Sequence, residues 1–89
     1  MFRRKHRHHH EHHDFKNLTK VPLKKQYMIE AIETEDPDLQ KILFTLGCYP
    51  KQKCTLISSL GENYIIEVHS ARYSIDIALA KCILVKELN

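Results

Sequence analysis

The chain has no apolar run near the ~20 residues a membrane-spanning helix needs. Its basic N-terminus is not followed by a hydrophobic segment, so it does not read as a secretory signal. Its three cysteines are an odd count at irregular spacings. That argues against a disulfide framework and for reduced thiols in a cytoplasm. With two glycines there is no Gly-rich phosphate loop. There is also no metalloprotease helix and no serine spaced for a His and Asp partner. The 89 residues suffice for one small domain. These absences point away from an enzyme with a deep active site and towards binding.

Charge is present but unevenly spread. Residues 1–26 carry eight basic and two acidic side chains, a net of +6, whereas residues 27–89 carry six basic and nine acidic, a net of −3. The overall +3 is therefore a basic tail on a mildly acidic body. A nucleic-acid-binding barrel is a third reading, disfavoured because phosphate contacts need clustered Lys and Arg.

Residues 1–14 hold six of the seven histidines and little apolar content. Such a segment cannot offset the entropy of ordering. Residues 1–26 are thus expected to be a flexible His-rich tail and basic connector, with the folded domain at 27–89. Tyr27–Ile32 alternates as a strand. Asp36, Pro37 and Asp38 form a helix start: a cap, a proline at the first position and an acid favoured by the helix dipole. Leu39, Ile42, Leu43 and Leu46 then make one apolar stripe, and Gly47 ends the helix. A helix of about ten residues is marginal alone, so the stripe must dock.

After a turn at Pro50, alternation predicts strands over Lys53–Ser58, Tyr64–His69 and Arg72–Ile77, with a hairpin connection at Leu60–Asn63. A single helical turn at Ala78–Lys81 and a closing strand at Cys82–Lys86 complete the pattern. The expected fold is mainly β with one short helix: a small, closed, SH3-like five-stranded β-barrel.

Leu43-Phe44-Thr45-Leu46-Gly47-Cys48-Tyr49-Pro50, Cys54-Thr55-Leu56-Ile57, Ile66-Glu67-Val68, Arg72-Tyr73-Ser74-Ile75 and Ala80-Lys81-Cys82-Ile83-Leu84-Val85, in that order, resemble the FeoA family, ferrous iron transport protein A. The resemblance spans roughly Tyr27–Leu88. It implies an SH3-like barrel, cytoplasmic, that is an accessory or regulatory partner of the membrane GTPase FeoB. A similar domain ends some metal-dependent repressors, but nothing here resembles their DNA-binding half. Three departures stand out. Lys51 replaces the glycine usual after the turn proline, which suggests type I rather than type II geometry. The loop before the third strand is compact. A glycine usual near that strand's end is replaced around His69-Ser70-Ala71.

Binding residues concentrate on loops held by a rigid scaffold. The candidate partner surface is therefore Cys48, Tyr49, Pro50 and Lys51, the hairpin loop with Gly61 and Glu62, and Arg72. Arg72 can alternatively pair with Glu67, and Tyr73 can pack in the core. Cys48, Cys54 and Cys82 have the spacing of small buried hydrophobes rather than of a zinc site. Glu33, Glu35, Asp36 and Asp38 read as helix-start acids. His8, His9, His10, His12 and His13 offer imidazoles for a transition metal, with Glu11 and Asp14 as added oxygens. No cofactor is required, but this tail can hold Fe, Zn or Ni weakly. A metal chaperone or sensor is accordingly the alternative function. A tag remnant or a merely solvated tail are the other accounts of the same histidines.

Overall fold

Strand-forming sequence dominates the computed structural model, which describes residues 15–88. The strands are β1 (Lys16–Asn17), β2 (Lys25–Ile32), β3 (Lys53–Leu60), β4 (Asn63–Val68), β5 (Ala71–Asp76) and β6 (Ile83–Glu87). Helix α1 is Pro37–Thr45, α2 is the single turn Ile77–Ala80, and a 3-10 turn covers Leu18–Lys20. The strands form one antiparallel sheet in the order β1-β6-β2-β3-β4-β5.

Two expectations are corrected here. The sheet has six strands, and β1 does not pair with β5, so it is not a closed five-stranded barrel. The gap is filled by side chains instead of a ladder. α2 touches the 3-10 turn across it, and Leu18 and Ala80 from those two elements are wholly buried. The folded unit also starts before Tyr27. Lys16 and Asn17 pair with Val85 and Leu84, and Leu18 joins the core, so this part of the expected connector is structure. Burying the Leu18 side chain contributes roughly 2 kcal/mol towards ordering this segment. The His-rich residues 1–14 lie outside the described residues.

Alternation along the strands builds the core from Tyr27, Ile29, Cys54, Leu56, Ile66, Val68, Ile75, Ile83 and Val85. An extra residue in β2 between Ile29 and Ala31, and another in β3 between Leu56 and Ser58, bends each strand. Such bulges increase local twist and curl a sheet towards a barrel.

α1 begins as expected. The Asp36 side chain accepts from the Asp38 N–H at 2.9 Å, and Pro37 opens the helix. Of the apolar stripe, Leu43 is wholly buried, Leu39 and Leu46 pack partly against the core, and Ile42 stays 45% exposed. At about 100° per residue, Ile42 and Leu43 sit at opposite margins of the stripe. The helix is rolled onto its Leu43 margin, which lifts Ile42 out.

Candidate functional site

The C-terminus of α1 determines the surface around it. The Gly47 N–H donates to the Phe44 carbonyl at 3.0 Å, and the Cys48 N–H to the Leu43 carbonyl at 2.9 Å. This is a Schellman ending, and Gly47 supplies its left-handed residue at φ +94°. Gly47 is required for space as well: a Cβ there would stand 3.1 Å from Cδ2 of His69.

The chain then turns at Tyr49–Gln52. The Gln52 N–H donates to the Tyr49 carbonyl at 3.0 Å, and Lys51 has φ +77°. A positive φ at the third residue makes this a type II turn, not the type I turn that lysine suggested. The β2 backbone holds it there. The Lys51 N–H donates to the Ile29 carbonyl at 2.6 Å, and the Ile29 N–H to the Gln52 carbonyl at 2.8 Å. Two ladder bonds over-determine a backbone that lysine alone would avoid.

The β4–β5 connection arrives at the same end of the sheet. Val68 pairs with Ala71, and His69 and Ser70 between them have φ +55° and +67°. Two positive values define a type I′ turn, made here without glycine. The expectation that the strand runs on through His69 is corrected: β4 ends at Val68, and His69 sits in this turn, against Gly47. One residue into β5, Arg72 pairs with Glu67 at 3.3 Å, as the sequence suggested. Both are substantially exposed, so the pair contributes little to stability.

Tyr49, Pro50, Lys51 and Arg72 are thus exposed at one end of the sheet, with His69 added. Tyr49 is 46% exposed, and its ring lies 5.4 Å from that of Phe44, which limits its freedom. Gly61 and Glu62 are at the other end. They form the two-residue turn between paired Leu60 and Asn63, with Gly61 at φ +62°. From Thr55, opposite Glu67, to Leu60 is five residues, or about 16 Å of strand. The structure does not bring them to the Pro50 turn.

Cys48 is also separated from the proposed contact set, because it is wholly buried. Burial pushes its thiol up to about 11. Burial, and secondarily the charge of Cys48, pushes Cys54 up to about 12. Both stay protonated near neutral pH, the opposite of what a nucleophile or thiolate ligand needs. The Cys82 thiol donates to the Ala78 carbonyl at 3.2 Å.

Among the described residues no cluster of three or more His, Cys, Asp or Glu is arranged to hold a metal. His8, His9, His10, His12 and His13 lie outside them. A small pocket lined by Lys16, Lys20, Val21, Pro22, Tyr27, Val85 and Glu87 encloses about 190 Å³. That is below the roughly 300–1,000 Å³ of small-molecule clefts. The Tyr27 hydroxyl donates to the Pro22 carbonyl at 2.6 Å, and burial raises its pKa. No described helix is long and apolar enough to cross a membrane.

The family profile described as FeoA domain matches residues 16–87. No curated protein matches the chain. Among solved structures, the chain is similar to an iron uptake regulatory protein (FeoA), at 22% identity and TM-score 0.74, over 83% of this chain and 97% of that one. It is similar to a FeoA-like protein from Clostridium acetobutylicum, at 18% identity and TM-score 0.77, over 85% and 90%. It is also similar to Stenotrophomonas maltophilia FeoA complexed with zinc, an SH3 domain protein, at 20% identity and TM-score 0.70, over 79% and 88%.

Proposed function

The chain belongs to the FeoA domain family, whose members take part in ferrous iron transport, and from that premise we propose that it is a non-enzymatic, cytoplasmic accessory protein that binds the cytosolic GTPase part of FeoB. One observation carries the reading. The Schellman ending of α1, the type II turn and the type I′ turn bring exposed Tyr49, Pro50, Lys51, His69 and Arg72 to one end of the sheet. Aromatic and arginine side chains on such a support are the kind that dominate binding energy. By contacting two conformations of the GTPase unequally, this surface would shift their balance.

Calorimetric titration of the full chain with the transporter's cytosolic domain tests this. Tyr49→Ala and Arg72→Glu should each weaken association about tenfold or more, and Glu62→Ala, at the far end of the sheet, should not. No association with the unaltered chain, or equal affinity for all three variants, refutes the reading.

The second reading is that the tail binds metal independently, supported by five histidines between positions 8 and 13. The zinc complex of the Stenotrophomonas maltophilia protein shows only that a relative takes up a metal. Titration with ferrous, zinc and nickel ions should give weak binding. It should vanish when residues 2–14 are deleted, while binding to the GTPase domain persists. Unchanged metal binding after the deletion refutes it.

A further inference from the structure

β5 is the long free edge of the sheet. It pairs with β4 on one side and with no described strand on the other. The His69–Ser70 turn closes on the pair Val68–Ala71, and a two-residue hairpin closes on a hydrogen-bonded pair. Alternation then points the N–H and C=O groups of Ala71, Tyr73 and Ile75 towards β4, and those of Arg72 and Ser74, with the Asp76 N–H, outward, while the Asp76 carbonyl opens α2. The side chains of Arg72, Ser74 and Asp76 are exposed. An unpaired row of this kind is a template for another strand.

The order of side chains along this edge is self-complementary. In an antiparallel pairing centred on Ser74, position 72 of one copy faces position 76 of the other, and 74 faces 74. Arg72 then meets an Asp76 carboxylate at both ends of the seam. On the opposite face Ile75 is already buried in its own core, so the charged face carries the complementarity of the seam. Glu67 already holds Arg72 at 3.3 Å from the other side, so the guanidinium would lie between two acids. One oxygen of Asp76 accepts the Leu79 N–H at 3.0 Å, which leaves the second for the incoming arginine. Parallel pairing would instead stack arginine on arginine and aspartate on aspartate, which is unfavourable. The other edge has no such property, because β1 is two residues long.

We propose that two copies of this chain associate through β5, antiparallel and centred on Ser74, joining their sheets into one. The seam is short of the roughly 1,200 Å² of a stable interface, so the dimer forms reversibly with concentration.

Sedimentation equilibrium of the full chain from micromolar to millimolar concentration tests this. The mass should rise from 10.5 kDa towards twice that value. Arg72→Asp alone and Asp76→Arg alone should each stay monomeric, because every opposed pair then carries like charges. Their equimolar mixture should associate, because both opposed pairs are again opposite in sign. Circular dichroism checks that Asp76→Arg, which loses the α2 cap, is folded. Ser74→Cys, independent of that cap, should oxidise to a covalent dimer, the native thiols being buried. Tyr49→Ala, which lies outside β5 and outside the Arg72–Asp76 pairs, should not alter association, which separates this proposal from the transporter reading. A chain that remains at 10.5 kDa at millimolar concentration, or a charge-swapped mixture that fails to associate, overturns it.

Discussion

Replacing Lys51 by glycine measures the strain held in the Pro50 turn. Lys51 sits at φ +77°, where an L side chain costs roughly 1–2 kcal/mol that glycine does not incur. Glycine also loosens the unfolded chain, which costs about 0.4–1 kcal/mol. The balance predicts a gain of about 0.5–1 kcal/mol. For a domain of this size that is a rise in melting temperature of roughly 2–8 °C. The lysine side chain is exposed, so no packing term competes. Lys53→Gly is the control. Lys53 is an exposed residue of β3 with ordinary extended backbone, and the same replacement there should cost about 0.5–1 kcal/mol. Urea unfolding of both variants separates the two effects. If Lys51→Gly destabilises as much as Lys53→Gly, the turn is not type II and the orientation of Tyr49 and Lys51 derived from it is wrong.

Three further outcomes follow from the geometry. Gly47→Ala should cost at least about 1–2 kcal/mol from its left-handed backbone. His69→Ala should recover part of any excess by clearing the 3.1 Å contact, so a double-mutant cycle that shows no coupling refutes the apposition of helix end and turn. Cys48 and Cys54 have native pKa values of about 11 and about 12, above the ~8.5 of an unfolded thiol, so the unfolded state loses protons first as pH rises. Their contribution is complete below about pH 8 and is lost through the alkaline range, on the order of 3 kcal/mol by pH 10; denaturant midpoints that do not fall between pH 8 and 10 refute it. Leu18→Ala should cost roughly 2–5 kcal/mol, because this side chain is wholly buried where the sheet fails to close; a loss below 1 kcal/mol in urea unfolding would mean that the segment before β2 is dispensable.

The elements that sequence reasoning reached are those whose signals are local. Asp36-Pro37-Asp38 starts α1, Gly47 ends it, Gly61 turns β3 into β4, and alternation outlines each longer strand. The features it missed depend on tertiary partners. β1 is two residues whose strand partner is β6, so no period can announce it. The extra residues in β2 and β3 are defined by what lies across the ladder. Lys51 adopts a positive φ because bonds to β2 hold its turn, and His69 and Ser70 because the paired strands on either side hold theirs, against their own preferences.

The candidate surface divides by the same logic, and part of that division was available from connectivity. In an antiparallel meander, successive connections fall at alternate ends of the sheet. The connection before β3 and the one between β4 and β5 must share an end, and the Gly61–Glu62 turn must lie at the other. The five residues first grouped around Pro50 and Arg72 therefore could not all meet Gly61 and Glu62 on one compact face. The same rule brings the His69 turn to the Pro50 end. What no rule of connectivity could supply is the contact itself. His69 rests on Gly47 because the helix end has no side chain there, and that vacancy allows the last turn of α1 and the β4–β5 turn to form one continuous surface.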